Sequence, residues 1–186
     1  MKTLVVNLFA GPSAGKTTCA WEIASELKKR DIVTEYVPEY AKELVWDENY
    51  EALANQEAIF EEQAHRINRL IGKVDVVVTD SPILFSEIYG HNNSKEFKER
   101  IWDEHSSHNS FNLFINRGNK FEKEGRIHNL DESIEIDNQI KAMLEENSVY
   151  FGNYYHRTVP VIVDNIITTL NRIQTQEIED DEEPEL

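Results

Sequence analysis

The densest chemical signal in this chain is Ala10-Gly11-Pro12-Ser13-Ala14-Gly15-Lys16-Thr17-Thr18, set directly after the apolar run Leu4–Phe9 and directly before a helical pattern. It follows G-x-x-x-x-G-K-[ST], with Ala10 in the place of the first glycine. Each residue type has a use in holding a phosphate chain. Small residues at Gly11, Ser13, Ala14 and Gly15 let the backbone approach phosphate oxygens. Successive N–H groups and the N-terminus of the following helix make an anion cradle. Lys16 reaches terminal phosphates as a point charge, and the Thr17 hydroxyl is suited to Mg²⁺. Pro12 and Thr18 complete the stretch expected to contact the nucleotide.

Three other places carry ionisable groups where a strand is expected to end, which is where ligands gather in open α/β sheets. Asp80 closes Val74–Thr79 and is read as the second Mg²⁺ anchor; it would also serve as a helix N-cap. Ser81 follows it where hydrolytic motors often carry a water-activating Glu, which favours transfer to an acceptor. Glu39 follows the second strand and is the candidate base for an acceptor hydroxyl, with Glu35 and Glu43 as substitutes and a helix-dipole role as the alternative. The segment 117–126 gathers Arg117, Lys120, Lys123 and Arg126 between Gly118 and Gly125 in an otherwise acidic chain. It reads as a lid over the transferring phosphate, with Arg126 and Arg117 foremost and Lys120 behind them, or as an exposed basic loop. Weaker candidates for the acceptor side are Tyr40, Gln56, Phe60 and Gln63, which serve equally well as helix surface or core. His105 and His108 lack further ligands at zinc spacing.

These groups need a scaffold. Strand-like runs are expected at Lys2–Phe9, Val33–Val37, Val74–Thr79, Phe111–Asn116 and Val159–Val163. Helical patterns lie between them: Lys16–Lys29, Glu51–Leu70, Ile83–Tyr89, Lys95–His105, Asp131–Glu145 and Asn165–Arg172, with Asp131 and Asp164 as caps. The alternation implies an α/β fold of three layers, a five-stranded parallel sheet with helices on both faces and a lid at about 117–130. One domain is expected over 1–175, followed by an acidic, disordered tail over 176–186. Net charge is −16, and seven of the acids fall in the tail, so the body carries −9. That disfavours non-specific grip on a long polyanion. The single cysteine, Cys19, fits a reducing compartment and a buried position. No signal-peptide pattern precedes the first strand and no apolar run approaches ~18 residues, so a soluble cytoplasmic protein with no membrane partner is expected.

The ordered set GPSAGKTT, VPEYAKEL, QEAIFEEQ, VDVVVTDSP, an Arg-containing lid and a helix with Glu135, Ile136 and Asp137 resembles P-loop kinases of the nicotinamide-riboside kinase (NadR) type, especially their bacteriophage relatives. The lid string R-x-x-K-F-x-x-x-G-R, Arg117 to Arg126, is similar to that of phage kinases acting on 5-hydroxymethyldeoxyuridine in DNA. The resemblance spans about residues 1–172. It implies a five-stranded P-loop NTPase fold, ATP and Mg²⁺, Lys16 and Thr17 on phosphate and metal, Glu39 as acceptor base, Asp80 as the metal-linked carboxylate, and Arg126 with Arg117 as lid arginines. For a phage-encoded protein it implies the host cytoplasm. The sequence departs from deoxynucleoside kinases at Asp80-Ser81-Pro82, where those carry an acid followed by Arg.

The leading expectation is therefore a kinase transferring the γ-phosphoryl group of Mg·ATP to a hydroxyl of a nucleoside- or nucleotide-like small molecule. A hydroxymethylated base in DNA is the alternative acceptor. A nucleotide-dependent ATPase or switch, and a module that only senses ATP, are readings from other classes.

Overall fold

The computed structural model describes residues 2–90, 92–118, 128–155 and 158–182, the last six of these by backbone alone. Five strands, β1 (Leu4–Phe9), β2 (Thr34–Val37), β3 (Val76–Thr79), β4 (Asn109–Asn116) and β5 (Gly152–Tyr155), form one sheet in the order β2-β3-β1-β4-β5. Every pairing is parallel. The intervening helices are α1 (Lys16–Lys29), α2 (Tyr40–Trp46), α3 (Tyr50–Leu53), α4 (Gln56–Asn68), α5 (Phe85–Tyr89), α6 (Lys95–Ser107), α7 (Leu130–Glu146) and α8 (Val159–Glu182). Helices cover both faces, with α1 packed against α8 and α5 against α4, α6 and α7.

Central β1 is buried along its whole length, as is β3 beside it. Strands sandwiched between helix layers have no solvent face, which is why both read as unbroken apolar runs. Register then does the positioning. Val37, Thr79 and Asn7 lie abreast on β2, β3 and β1. The chain thus leaves β2 at Pro38-Glu39 and β3 at Asp80 on one level, and β1 runs on to Phe9 before opening into the loop at Ala10. The first helix, α1, sends Cys19, Ala20, Ile23, Ala24 and Leu27 into the core. Burial, aided by the Glu22 carboxylate, pushes the Cys19 thiol up to about 12.

Several expected elements differ. The fifth strand is Gly152–Tyr155, not Val159–Val163, which opens α8. Val159, Ile162, Val163, Ile166 and Leu170 are all buried, a helical spacing rather than an alternating one. Pro160 sits in the first turn of α8, where its missing N–H costs nothing. Asp164 lies inside α8 and pairs with Arg30 at 2.6 Å instead of capping. The helix runs on past Arg172 to Glu182. The expected Glu51–Leu70 helix is divided, because the Asn49 and Asn55 side chains accept from Ala52 N and Ala58 N, both at 3.1 Å, and so start α3 and α4 separately. Asn129, not Asp131, caps α7, through a reciprocal box with Glu132.

Candidate active site

The loop between β1 and α1 has the backbone its residues suggest. Gly15 stands at φ 95° and Ser13 at φ 59°, both left-handed. Gly11 is required for a different reason: a Cβ there would meet the Ser133 carbonyl oxygen at 2.3 Å. Lys16 is only 8% exposed and curls back over the loop, donating from Nζ to the carbonyls of Ala10 at 2.8 Å and Gly11 at 3.1 Å. The first-turn N–H groups of α1 have no partner within the helix and carry its positive dipole end.

Asp80, 1% exposed, faces this loop. Its Oδ2 accepts from the Thr17 hydroxyl at 2.5 Å and its Oδ1 from the Tyr36 hydroxyl at 2.9 Å. Burial first, then the Asp80 charge, holds the Tyr36 phenol proton well above its usual range, so Tyr36 remains a donor. Asp80 does not cap a helix, since α5 begins four residues beyond Ser81, at Phe85. Among the described residues no three His, Cys, Asp or Glu cluster in a way that could hold a metal. A Thr hydroxyl and one carboxylate beside a phosphate site still fit Mg²⁺, which keeps several waters and takes its other ligands from substrate phosphates.

Glu39 occupies the N-cap position of α2, but its side chain makes no cap bond. It lines two spaces. One is a cleft of about 1070 Å³, shared with Pro12, Lys16, Lys42, Gln56 and Asn93 among others. The other is a recess of about 150 Å³, shared with Thr17, Tyr36 and Asp80, whose outer wall is Trp21 and Trp46. These tryptophans are 59% and 62% exposed. The substitutes for Glu39 are engaged elsewhere: Glu35 with Lys28 at 3.1 Å, and Glu43 with Arg66 at 2.7 and 2.9 Å, a pair that holds the Glu43 carboxyl below its ordinary range.

The weaker candidates separate. Gln56 lines the cleft, donating to Leu53 O at 3.4 Å. Gln63 lines it too, but its buried carboxamide is spent on the scaffold, accepting from Tyr40 N at 3.1 Å and donating to Pro38 O at 3.3 Å. It thereby holds the turn that carries Glu39. Phe60 belongs to the core, edge-on to Phe97 at 5.4 Å, and Tyr40 lies beneath the Arg66 guanidinium at 4.7 Å; neither lines the cleft. Lys120 and Arg126 fall outside the described residues. Arg117 is not poised over the site but held beside the loop by Asp137, Pro12 and Ser133. Sequence reasoning gave no role to Tyr36, Lys42 or Ser133, and none beyond resemblance to Asp137. Tyr36 carries a signal in hindsight, a polar-tipped side chain on β2 two residues before Pro38-Glu39.

No curated protein matches the chain in sequence. The fold is shared with Chaetomium thermophilum Kti12, solved in complex with ADP-AlF3, at 14% identity and a TM-score of 0.53 over 89% of this chain and 98% of that one. It is shared as well with the Mycobacterium tuberculosis APS kinase CysC, solved with AMPPNP and APS, at 13% identity and a TM-score of 0.50 over 91% and 98%. Identities this low speak to architecture alone, and the architecture is that of P-loop NTPases. Among the described residues no helix is long and apolar enough to cross a membrane. With residues 5–159 matching its family description, the chain belongs to the AAA domain family of P-loop proteins.

Proposed function

We propose that this protein is a kinase that transfers the γ-phosphoryl group of ATP to a hydroxyl on a nucleoside- or nucleotide-like acceptor. The observation that carries this reading is the position of Glu39, whose side chain lines both the open cleft beside Lys16 and the recess beside Thr17 and Asp80. A carboxylate bordering the phosphate loop on one side and a cleft able to hold a nucleoside on the other is what acceptor activation requires. The nucleotide-type ligands in the Kti12 and APS kinase structures support a triphosphate at the loop.

In this reading residues 11–18 cradle the β- and γ-phosphates. Lys16 turns from the Ala10 and Gly11 carbonyls onto the terminal oxygens. Thr17 and Asp80 would hold Mg²⁺, which when bound neutralises charge on the β- and γ-phosphate oxygens. Tyr36 fixes the rotamer of Asp80. Glu39 accepts the proton of the acceptor hydroxyl as that oxygen bonds to the γ-phosphorus and the bond to the β-phosphate oxygen breaks. From the lid, Arg126 and Lys120 supply positive charge to the transferring group. The resemblance to nicotinamide-riboside and phage kinases supports this class of acceptor. Glu39, Glu51 and Glu57 along the cleft favour a small molecule over a nucleic-acid strand. The lid string from Arg117 to Arg126 supports the second reading, a hydroxymethylated base in DNA.

The test is a transfer screen with γ-labelled ATP and Mg²⁺, offering nicotinamide riboside, deoxynucleosides, nucleoside monophosphates and hydroxymethyluracil-containing DNA. Label on one small acceptor is expected. Label on the DNA alone would select the second reading, and label released only as free phosphate would replace both with an ATPase.

A further inference from the structure

Arg117 and Asp137 carry an inference that deepens, and rests on, the nucleotide-binding part of the reading above. All three guanidinium nitrogens of Arg117 are engaged. Nε and Nη2 donate to Asp137 Oδ2 at 2.9 and 2.8 Å, Nη1 to the Pro12 carbonyl at 2.7 Å, and Nη2 also to the Ser133 carbonyl at 3.1 Å. The other oxygen of Asp137 accepts from the Gly11 N–H at 2.5 Å. Both side chains are largely buried, at 13% exposure each. The first half of the phosphate loop is thus gripped twice, at an N–H and at a C=O. The grip comes from two elements far apart in the chain: Arg117 directly follows β4, while Ser133 and Asp137 stand on α7. Gly11 backs directly onto α7, where any Cβ would strike Ser133 O.

The charges matter as much as the bonds. Asp137 satisfies a loop N–H, yet it is a buried anion beside a site built for a polyanion, and alone it would repel phosphate. Arg117 cancels that charge. With its nitrogens committed, Arg117 has a different task from the phosphate-facing cation expected of a lid arginine. We propose that Arg117 and Asp137 are positioning residues, a neutral clasp that braces Gly11 and Pro12 against the exit of β4 and the first turns of α7 and so sets the affinity of the loop for ATP.

The experiment measures ATP binding with Mg²⁺ by calorimetry, alongside kcat, for Arg117→Met, Asp137→Asn and the double variant, with folding checked by circular dichroism. Arg117→Met leaves Asp137 unpaired and is expected to raise the Kd for ATP on the order of tenfold or more. Asp137→Asn should have a smaller effect, and adding it to Arg117→Met should tighten ATP binding again. A cation acting only on the transferring phosphoryl group would give the opposite pattern: Arg117→Met would lower kcat with the Kd unchanged, and the double variant would recover nothing. That pattern overturns the proposal, as does wild-type affinity in Arg117→Met. Should Arg117→Met not fold, Arg117→Lys keeps the charge but loses the fork, and an ATP Kd equal to wild type in that variant overturns the clasp. Wild-type protein that binds ATP but transfers nothing ends the kinase reading while leaving this order of affinities to be met. Wild-type protein that binds no ATP ends both.

Discussion

The two sides of the cleft are built on different terms. On the side proposed for the nucleotide, short bonds tie the loop and Asp80 to other elements: Asp80 to α1 and β2, Gly11 to α7, Pro12 to the end of β4. On the side proposed for the acceptor, Tyr50, Gln56, Asn92 and Asn93 border a space of about 1070 Å³. That wall comes from short α3, from α4 and from the turn after α5. The proposed phosphate chain is gripped mainly by backbone groups, so a pre-set cradle suits it. The proposed acceptor falls to short elements whose replacement leaves the sheet intact.

Substitutions should respect that division, and the largest effects test it hardest. Lys16→Ala is expected to abolish ATP-dependent transfer, a loss of roughly 10³-fold or more, seen in single-turnover assays with labelled ATP. Glu39→Gln should lower kcat by about 10²–10⁴-fold while ATP binding is retained; equal turnover would remove Glu39 as the base and blur the two sides into one. Tyr36→Phe takes one hydroxyl from Asp80 and should raise the Mg²⁺ concentration needed for half-maximal activity by about three- to tenfold, with little change in acceptor KM. Gln56→Ala is the mirror test, expected to raise acceptor KM a few-fold and leave the Kd for ATP alone.

A fifth expectation concerns acid pH and lies outside both sides. His105 is buried on α6 against Trp102, and its Nδ1 has no partner among the described residues. Burial, with His108 nearby, lowers its pKa to about 4. The unfolded chain therefore takes up this proton more readily than the folded one. Stability should be full above about pH 6.5 and fall by about 3 kcal/mol as pH drops toward 4. Denaturant melts of His105→Gln should show a flatter slope over that window. An identical slope would mean that acid acts elsewhere.

How much of this was legible beforehand follows from distance along the chain. The phosphate loop is contiguous, and Asp80 sits at the end of an unmistakable buried strand, so both could be read residue by residue. Tyr36 meets Asp80 across 44 positions and Gly11 meets Asp137 across 126. No local pattern encodes such pairs; only the β2-β3-β1-β4 order and the return of α7 bring them together. The fifth strand was misread because Val-Pro-Val-Ile-Val satisfies both a strand and the first turns of a buried helix, and packing decided for the helix. Gln63 and Phe60 both lie on the buried side of α4, yet only Gln63 also borders the cleft, and helical spacing alone cannot separate the two.

The position of Cys19 has a practical consequence. Its sulfur is sealed between α1 and the sheet, one turn behind the phosphate loop, and it resists deprotonation at neutral pH. A thiol-reactive probe should ignore the native protein and label it only when α1 lifts away. The rate of labelling, compared with and without bound nucleotide, then becomes a built-in clock for how firmly the ligand seats the first helix. The same inertness leaves a single engineered surface cysteine as the fast-labelling site of the folded protein.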